Sequence, residues 1–204
     1  MKIDKKKFIY LISPNKISGK FYQNLQIVLR TGKIGFFQMR FKKYSLSQKI
    51  LVGKKIQKIC QRNNVKFLIN DDPLLTKKLN ADGCHLGQSD MNIIEAKKII
   101  PNKIIGITCH NSIKLARKAI KSKPSYLAFG AFFSTKTKKV KYTAEIKILN
   151  KIKKITKIPL VAIGGINNTN YKKLLLNKSN FLAMSSYVWN NKIYKPLEAV
   201  ERLK

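Results

Sequence analysis

The stretch NDDPLLTKKLNADGCHLGQSD, Asn70 to Asp90, holds four of the nine Asp and Glu residues in a chain that carries 43 Lys and Arg. Three of the four have local roles open to them. Asp72 precedes Pro73 and has the form of a helix N-cap, Asp82 sits in a turn before Gly83, and Asp90 stands ahead of MNIIEAKK, where it can cap a helix. Asp71 has no such role, because it ends the apolar run VKFLIND. Two carboxylates, Asp71 and Asp90, at neighbouring strand ends amid basic groups suit a Mg²⁺ ion that also holds phosphate oxygens, since hard divalent cations take oxygen ligands.

Further polar residues follow the same plan, each at the end of an apolar run. Gln38, Arg40 and Lys42 follow one run, and His85 and Gln88 follow another. Thr108, Cys109 and His110 close a third, and STKTKK (134–139) a fourth. Gly164-Gly165 and Ser185-Ser186 end the last two. Glycines leave backbone N–H groups open to an anion, and the hydroxyls and ammonium groups of STKTKK suit a phosphate or pyrophosphate. A tight turn and one more Lys-rich loop are the plainer readings of these two stretches. Cys84-His85 and Cys109-His110 do not make a zinc site, because adjacent strand residues point to opposite faces. The residues by themselves imply a phosphorylated ligand with Mg²⁺ and name no reaction.

The elements that must carry these groups alternate. Short apolar runs at 8–13, 34–40, 65–71, 83–87, 103–110, 126–133, 158–166 and 181–189 read as strands. LSQKILVGKKIQKICQ, SIKLARKAI, EIKILNKIKKI and PLEAVERLK read as helices, and Ser45, Asp72-Pro73, Ser112 and Asn168 stand where helices start. Eight strand–helix units predict an α/β fold, a (β/α)₈ TIM barrel in one domain over 1–204, with the chemistry at the C-terminal ends of the strands. A doubly wound open sheet is the competing architecture, and alternation alone does not choose between them.

Composition bounds the partners. The net charge of +34 favours polyanions in principle. However, Lys outnumbers Arg 38 to 5 and is spread along the whole chain beside abundant Ile and Asn, as AT-rich codon usage produces. A nucleic-acid binder concentrates charge on one face, so no nucleic acid is expected as a partner. No segment has the apolar length to cross a bilayer, and no membrane partner is expected. The opening run FIYLI is too short for a signal peptide. Three cysteines without a CxxC pair predict reduced thiols and a cytoplasmic location.

QMRFK, NDD, ADGCHLGQSD, IGITCHN, FGAFFSTKTK and AIGGI occur in an order and spacing that resembles the thiamine phosphate synthase family, over about residues 8 to 190. The resemblance implies a (β/α)₈ enzyme of the transferase class. It would join 4-amino-2-methyl-5-(diphosphooxymethyl)pyrimidine to a thiazole phosphate and release pyrophosphate. These two small molecules would be its partners, with homo-oligomerisation left open. Matched by motif, Gln38, Met39, Arg40, Phe41 and Lys42 would hold the pyrimidine pyrophosphate, and Asn70 and Thr108 would help hold the pyrimidine. Asp71 and Asp90 would bind Mg²⁺, the implied cofactor. Thr135, Lys136 and Thr137 would contact the thiazole phosphate, and Lys138 the pyrophosphate. Gly165 with Met184 and Ser185 would cradle the thiazole phosphate. Arg40, Lys42 and Lys138 would be the catalytic cations that stabilise the leaving group.

The chain departs from the family pattern at several places, among them the segment after Lys139, which lacks the Gly usual before its helix. Phe41 stands where an acidic residue is usual, Ser134 where a Pro is usual, and Ser13-Pro14 where an Asp is common. Thr108 replaces a usual Ser and keeps the hydroxyl. A related barrel, the thiazole tautomerase, uses a histidine, and His110 fits that alternative. Gln38, Lys42, Asp71 and Asp90 argue against it, since a tautomerase has no pyrophosphate to activate. A non-catalytic nucleic-acid binder would need exposed aromatics among its lysines, whereas Phe36, Phe37, Phe132 and Phe133 read as core.

Overall fold

In the computed structural model, which describes residues 6–17, 19–134 and 142–204, eight parallel strands close into a barrel. They are β1 (Ile9–Ile12), β2 (Ile34–Met39), β3 (Lys66–Asn70), β4 (Gly83–Leu86), β5 (Ile104–His110), β6 (Tyr126–Gly130), β7 (Leu160–Ile163) and β8 (Phe181–Met184). Around them lie α1 (Phe21–Leu29), α2 (Leu46–Arg62), α3 (Pro73–Leu79), α4 (Ile93–Ile99), α5 (Ile113–Lys121), α6 (Lys147–Lys153) and α7 (Tyr171–Leu176), with α8 (Ser186–Trp189) and α9 (Pro196–Glu201) after β8. Closure decides against the open sheet. β8 pairs back onto β1, Tyr10 with Ala183 and Leu11 with Met184, so neither is left as an edge.

Strand parity divides the apolar residues into two cores. Ile9, Leu11, Phe37, Phe67, Ile69 and Leu127 face outward and pack under the helices. Tyr10, Phe36, Leu68, Tyr126, Val161 and Phe181 face inward and fill the barrel. This parity sends Gln38, Asn70, His85 and Thr108 to the interior, since Gln38 pairs with Leu68, Asn70 with His85 and Thr108 with Ala128.

Several strands stop short of their apolar runs. β6 ends at Gly130 rather than residue 133, β7 spans 160–163 rather than 158–166, and β8 ends at Met184 rather than 189. Phe132 stays buried beyond its strand, and its N–H still reaches the Ile163 carbonyl at 3.1 Å. Residues 186–189 are helical.

Ser45, Asp72 and Ser112 cap their helices as expected, each accepting a backbone N–H three residues on. Asp90 does not cap α4. Asn92 does, accepting from Ile94 and Glu95 at 2.9 and 3.0 Å, because it occupies the extended position next to the first turn. Asn168 does not cap α7 either, and Asn167 and Asn170 organise that turn instead.

Part of the positive charge ties the loops at the N-terminal end of the barrel. Lys33 donates to the carbonyls of Glu201 and Leu203, Lys7 to that of Asn64, Lys97 to that of Ser122, and Lys103 to Asn80 Oδ1. Lys66 pairs with Asp82, which also accepts the Phe67 N–H, so Asp82 is structural. Among the described residues, no helix is long and apolar enough to cross a membrane.

Candidate active site

The C-terminal ends of β2 to β5 bring the rare carboxylates and the inward amides together. Asp71 follows β3 with φ of +65°, a left-handed conformation that Asp tolerates better than most residues but still at a cost. Its N–H extends the ladder to the His85 carbonyl at 2.8 Å. Among the described residues, five of the seven non-glycine residues with positive φ lie after helices, at the opposite end of the barrel. Asp71 and His110 are the two at strand ends, where the strain has no capping role to explain it.

Burial first, and then the neighbouring Asp90 carboxylate, raise the pKa of Asp71, while Lys42 works against both. Lys42 Nζ lies 3.4 Å from Asp71. Asp90 Oδ2 accepts the Gly87 N–H at 2.6 Å, which folds the turn after β4 so that its carboxylate stands beside Asp71. Asp82 is absent from this meeting. A cavity of about 510 Å³ opens here, lined by Met39, Phe41, Lys42, Asn70, Asp71 and Asp90 among others.

Gln38 is only 2% exposed, and no side-chain hydrogen bond of Gln38 or Asn70 is found among the described residues. Both therefore keep hydrogen-bonding capacity toward the interior. Met39 and Phe41 point the other way, into the sheet–helix core, and also line the cavity. Phe41 stacks on Tyr44 at 4.8 Å, an apolar role for the position where an acid is usual.

Ser13 laces three strand ends. Its Oγ accepts the Arg40 N–H at 2.9 Å, its N–H donates to the Gln38 carbonyl, and its carbonyl accepts from Ser185 Oγ at 3.0 Å. Ser13 thus fixes the backbone that presents Gln38 and Arg40.

The loops after β6 and β7 are fused. Phe132 and Phe133 donate to the carbonyls of Ile163 and Gly164. Gly165 takes φ of +62°, and Asn170 Nδ2 holds its carbonyl at 3.0 Å. Ser185, after β8, is held to the Ser13 carbonyl, whereas the Met184 side chain is buried outward. Thr135, Lys136, Thr137 and Lys138 lie outside the described residues.

Inside the barrel, His85 Nε2 lies 2.9 Å from Thr108 Oγ1, and Nδ1 lies 2.9 Å from the Tyr126 hydroxyl. Tyr126 meets the Tyr10 hydroxyl at 2.8 Å. Burial lowers the His85 pKa to about 4, Arg40 adds to that, and Asp90 opposes it. Cys84 faces the opposite way, into the packing under α4, so the adjacent pair serves two cores. His110, beyond a bulge in β5, packs against Tyr142 with ring centres 4.3 Å apart and the planes tilted by 31°.

Sequence reasoning counted His85 among the strand-end polar residues without giving it a specific role, and gave no site role to Tyr10, Tyr126 or Ser13. Strand parity was the available signal for the first three, because each shares a face with Gln38 or Thr108. Ser13 reads from sequence only as a departure.

The family model described as thiamine monophosphate synthase matches residues 9–188. A thiamine-phosphate synthase from Pelagibacter ubique (strain HTCC1062) is 66% identical over 200 residues, covering 98% of this chain and 97% of that protein. One from Erythrobacter litoralis (strain HTCC2594) is 39% identical over 188 residues, covering 89% and 88%. The solved thiamine phosphate pyrophosphorylase from Pyrococcus furiosus superimposes with a TM-score of 0.86 at 30% identity, covering 98% of this chain and 94% of that one. The barrel, the strand-end residues and these full-length similarities lead to one conclusion: the chain belongs to the thiamine monophosphate synthase family.

Proposed function

We propose that this chain joins 4-amino-2-methyl-5-(diphosphooxymethyl)pyrimidine to a thiazole phosphate, forming thiamine phosphate and releasing pyrophosphate. The observation that carries this reading is the meeting of Asp71, Asp90 and Lys42 at the barrel mouth, beside the inward amides of Gln38 and Asn70. A tautomerase reading gives no use to that cluster.

The donor set fits Mg²⁺. Two facing carboxylates, one with its pKa raised by burial and by the other, are an arrangement that a cation relieves. Among the described residues no three His, Cys, Asp or Glu side chains gather around a metal. Mg²⁺ does not need three, since it is commonly held by one or two carboxylates together with substrate phosphates and water. Asp71 and Asp90 would hold it, and when bound it would neutralise charge building up on the departing pyrophosphate.

The chain's own groups position the two substrates and stabilise the leaving group. Gln38 and Asn70 offer amides to the pyrimidine, and Thr108 offers a hydroxyl. Arg40 and Lys42 add positive charge where the pyrophosphate leaves, and Lys138 joins them on the family pattern. As the carbon–oxygen bond to pyrophosphate breaks, the aminopyrimidine can carry the cation on its ring. The thiazole nitrogen lone pair then forms the new bond, and no general base is required. Catalysis then rests on positioning and electrostatics. The glycine turn at Gly165 and the Ser185 hydroxyl would receive the thiazole phosphate. The three cysteines are buried free thiols, which fits the reducing cytoplasm expected from sequence.

Asp71→Asn and Asp90→Asn test the reading. Each should lower turnover at least about 100-fold, the kinetic equivalent of losing part of a metal's several kcal/mol. Stability without Mg²⁺ should change little for Asp71→Asn. The variant loses a pair with Lys42 worth about 0–1 kcal/mol but also sheds repulsion from Asp90. Full activity of both variants in Mg²⁺ would overturn the assignment.

A further inference from the structure

We propose that Tyr10, Tyr126 and His85 form a one-way hydrogen-bond relay that holds His85 as its Nε2–H tautomer and turns the Thr108 hydroxyl into a donor facing the substrate. The inference deepens the synthase reading and rests on it for the identity of the ligand.

The argument is a count of hydrogens. The chain Tyr10–Tyr126–His85–Thr108 has three links, at 2.8, 2.9 and 2.9 Å. With a neutral imidazole it has four hydrogens, one per member. Three hydrogens fill the links and one remains. Left on Tyr10, which is 2% exposed, or on Tyr126, which is 0% exposed, it would be a buried O–H without an acceptor. No other hydrogen bond of either hydroxyl is found among the described residues. A buried donor left unmade costs its full desolvation. A doubly protonated ring adds a hydrogen and worsens the shortfall.

The remaining hydrogen therefore belongs at Thr108, the end nearest the mouth. Tyr10 donates to Tyr126, Tyr126 donates to His85 Nδ1, and His85 Nε2–H donates to Thr108 Oγ1. Thr108 then has its own O–H to give. Gln88 Nε2 donates to the Thr108 carbonyl, which holds the residue from its backbone side. Gly106 makes room for the relay, because a Cβ there would run into the Tyr126 ring. Tyr10 and Tyr126 are thus positioning residues, since they act on the ligand only through His85 and Thr108. The ligand must present a lone pair to Thr108, and on the synthase reading that atom is a ring nitrogen of the aminopyrimidine.

Two measurements test this. In protein labelled with [¹⁵N]histidine, with His110→Asn used to assign the two residues, His85 should show a protonated Nε2 and a hydrogen-bonded, unprotonated Nδ1 at neutral pH. Tyr126→Phe should shift the Nδ1 signal. Binding of the pyrimidine pyrophosphate should weaken roughly tenfold in Thr108→Val, the size of one lost hydrogen bond, and be kept in Thr108→Ser. An analogue with C–H in place of the ring nitrogen should lose about as much against wild type and nothing further against Thr108→Val. An Nδ1–H tautomer, a charged ring, or tight binding by Thr108→Val would overturn the relay. Wild-type protein that ignores the pyrimidine altogether would instead overturn the synthase reading, and the tautomer would still decide the relay.

Discussion

Gly165→Ala places a methyl group where the loop after β6 already stands. A Cβ on Gly165 would lie 2.7 Å from the Phe133 carbonyl carbon and oxygen and closer still to the Ser134 carbonyl oxygen. All three are backbone atoms, so no side chain can swing aside. The residue also has φ of +62°, where an L-residue costs roughly 1–2 kcal/mol. Forcing the fused loops apart adds the ordinary penalty of overpacking, so the total is about 2–4 kcal/mol. At about 2–4 °C per kcal/mol for a chain of this size, Tm should fall by roughly 4–16 °C. Gly32→Ala is the control, because Gly32 has φ of +71° but nothing within 4 Å of its Cβ position. It should cost only the backbone part, about 1–2 kcal/mol, or about 2–8 °C. Calorimetry on both variants isolates the steric part. Steady-state kinetics should then show KM for the thiazole phosphate raised about tenfold or more in Gly165→Ala, the loss of one good phosphate contact, with KM for the pyrimidine nearly unchanged. Equal Tm losses in the two variants, or an unaltered thiazole phosphate KM, would refute the reasoning.

His85 should make stability fall with acid. The unfolded chain binds a proton near pH 6.5, whereas the folded ring resists until about 4, so stability is full above 6.5 and declines between those values. At 1.36 kcal/mol per pH unit the ceiling is about 3 kcal/mol, and partial exposure of His85 lowers it to about 2. Urea melts at pH 7 and pH 4.5 should show that loss in wild type and a smaller one in His85→Gln. Equal losses would assign the acid sensitivity to other groups. Lys138→Ala should cut kcat sharply while Lys139→Ala and Lys141→Ala leave it within about twofold, because an ammonium at one defined position neutralises the leaving group and its neighbours only add screened charge. Equal effects in all three would reduce the loop to solvated charge.

The order of strands and helices was legible because each run of β-branched and aromatic residues is bounded by breakers. Their ends were not. Apolar packing continues past the strand ends, as Phe132 shows after β6 and Val188 shows after β8. Caps were readable where a Ser or Asp stood directly at the extended residue, as with Ser45, Asp72 and Ser112. The cap open to Asp90 falls instead to Asn92, two residues on, and the Asp90 carboxylate stands beside Asp71. α1 carries no side-chain cap, so nothing marked where it starts.

The same division runs through the site. Gln38, Asn70 and Thr108 share an inward face by strict alternation, so the sequence could point to them. The interior relay needed closure of the barrel, because Tyr10 and Tyr126 lie 116 residues apart and read separately as core aromatics. The bulge between Thr108 and His110 breaks alternation, which is why Cys84-His85 and Cys109-His110 look alike in sequence and differ in space.

Wild-type protein supplied with 4-amino-2-methyl-5-(diphosphooxymethyl)pyrimidine, an aromatic thiazole phosphate and Mg²⁺ gives the most direct test. Both substrates enter the proposed reaction without prior tautomerisation, so only a synthase consumes them. Pyrophosphate should appear in step with thiamine phosphate, stop on addition of EDTA, and persist at a measurable rate in His110→Asn. A protein that leaves this pair untouched, yet isomerises the thiazole tautomer in EDTA and loses that activity in His110→Asn, would contradict the synthase assignment.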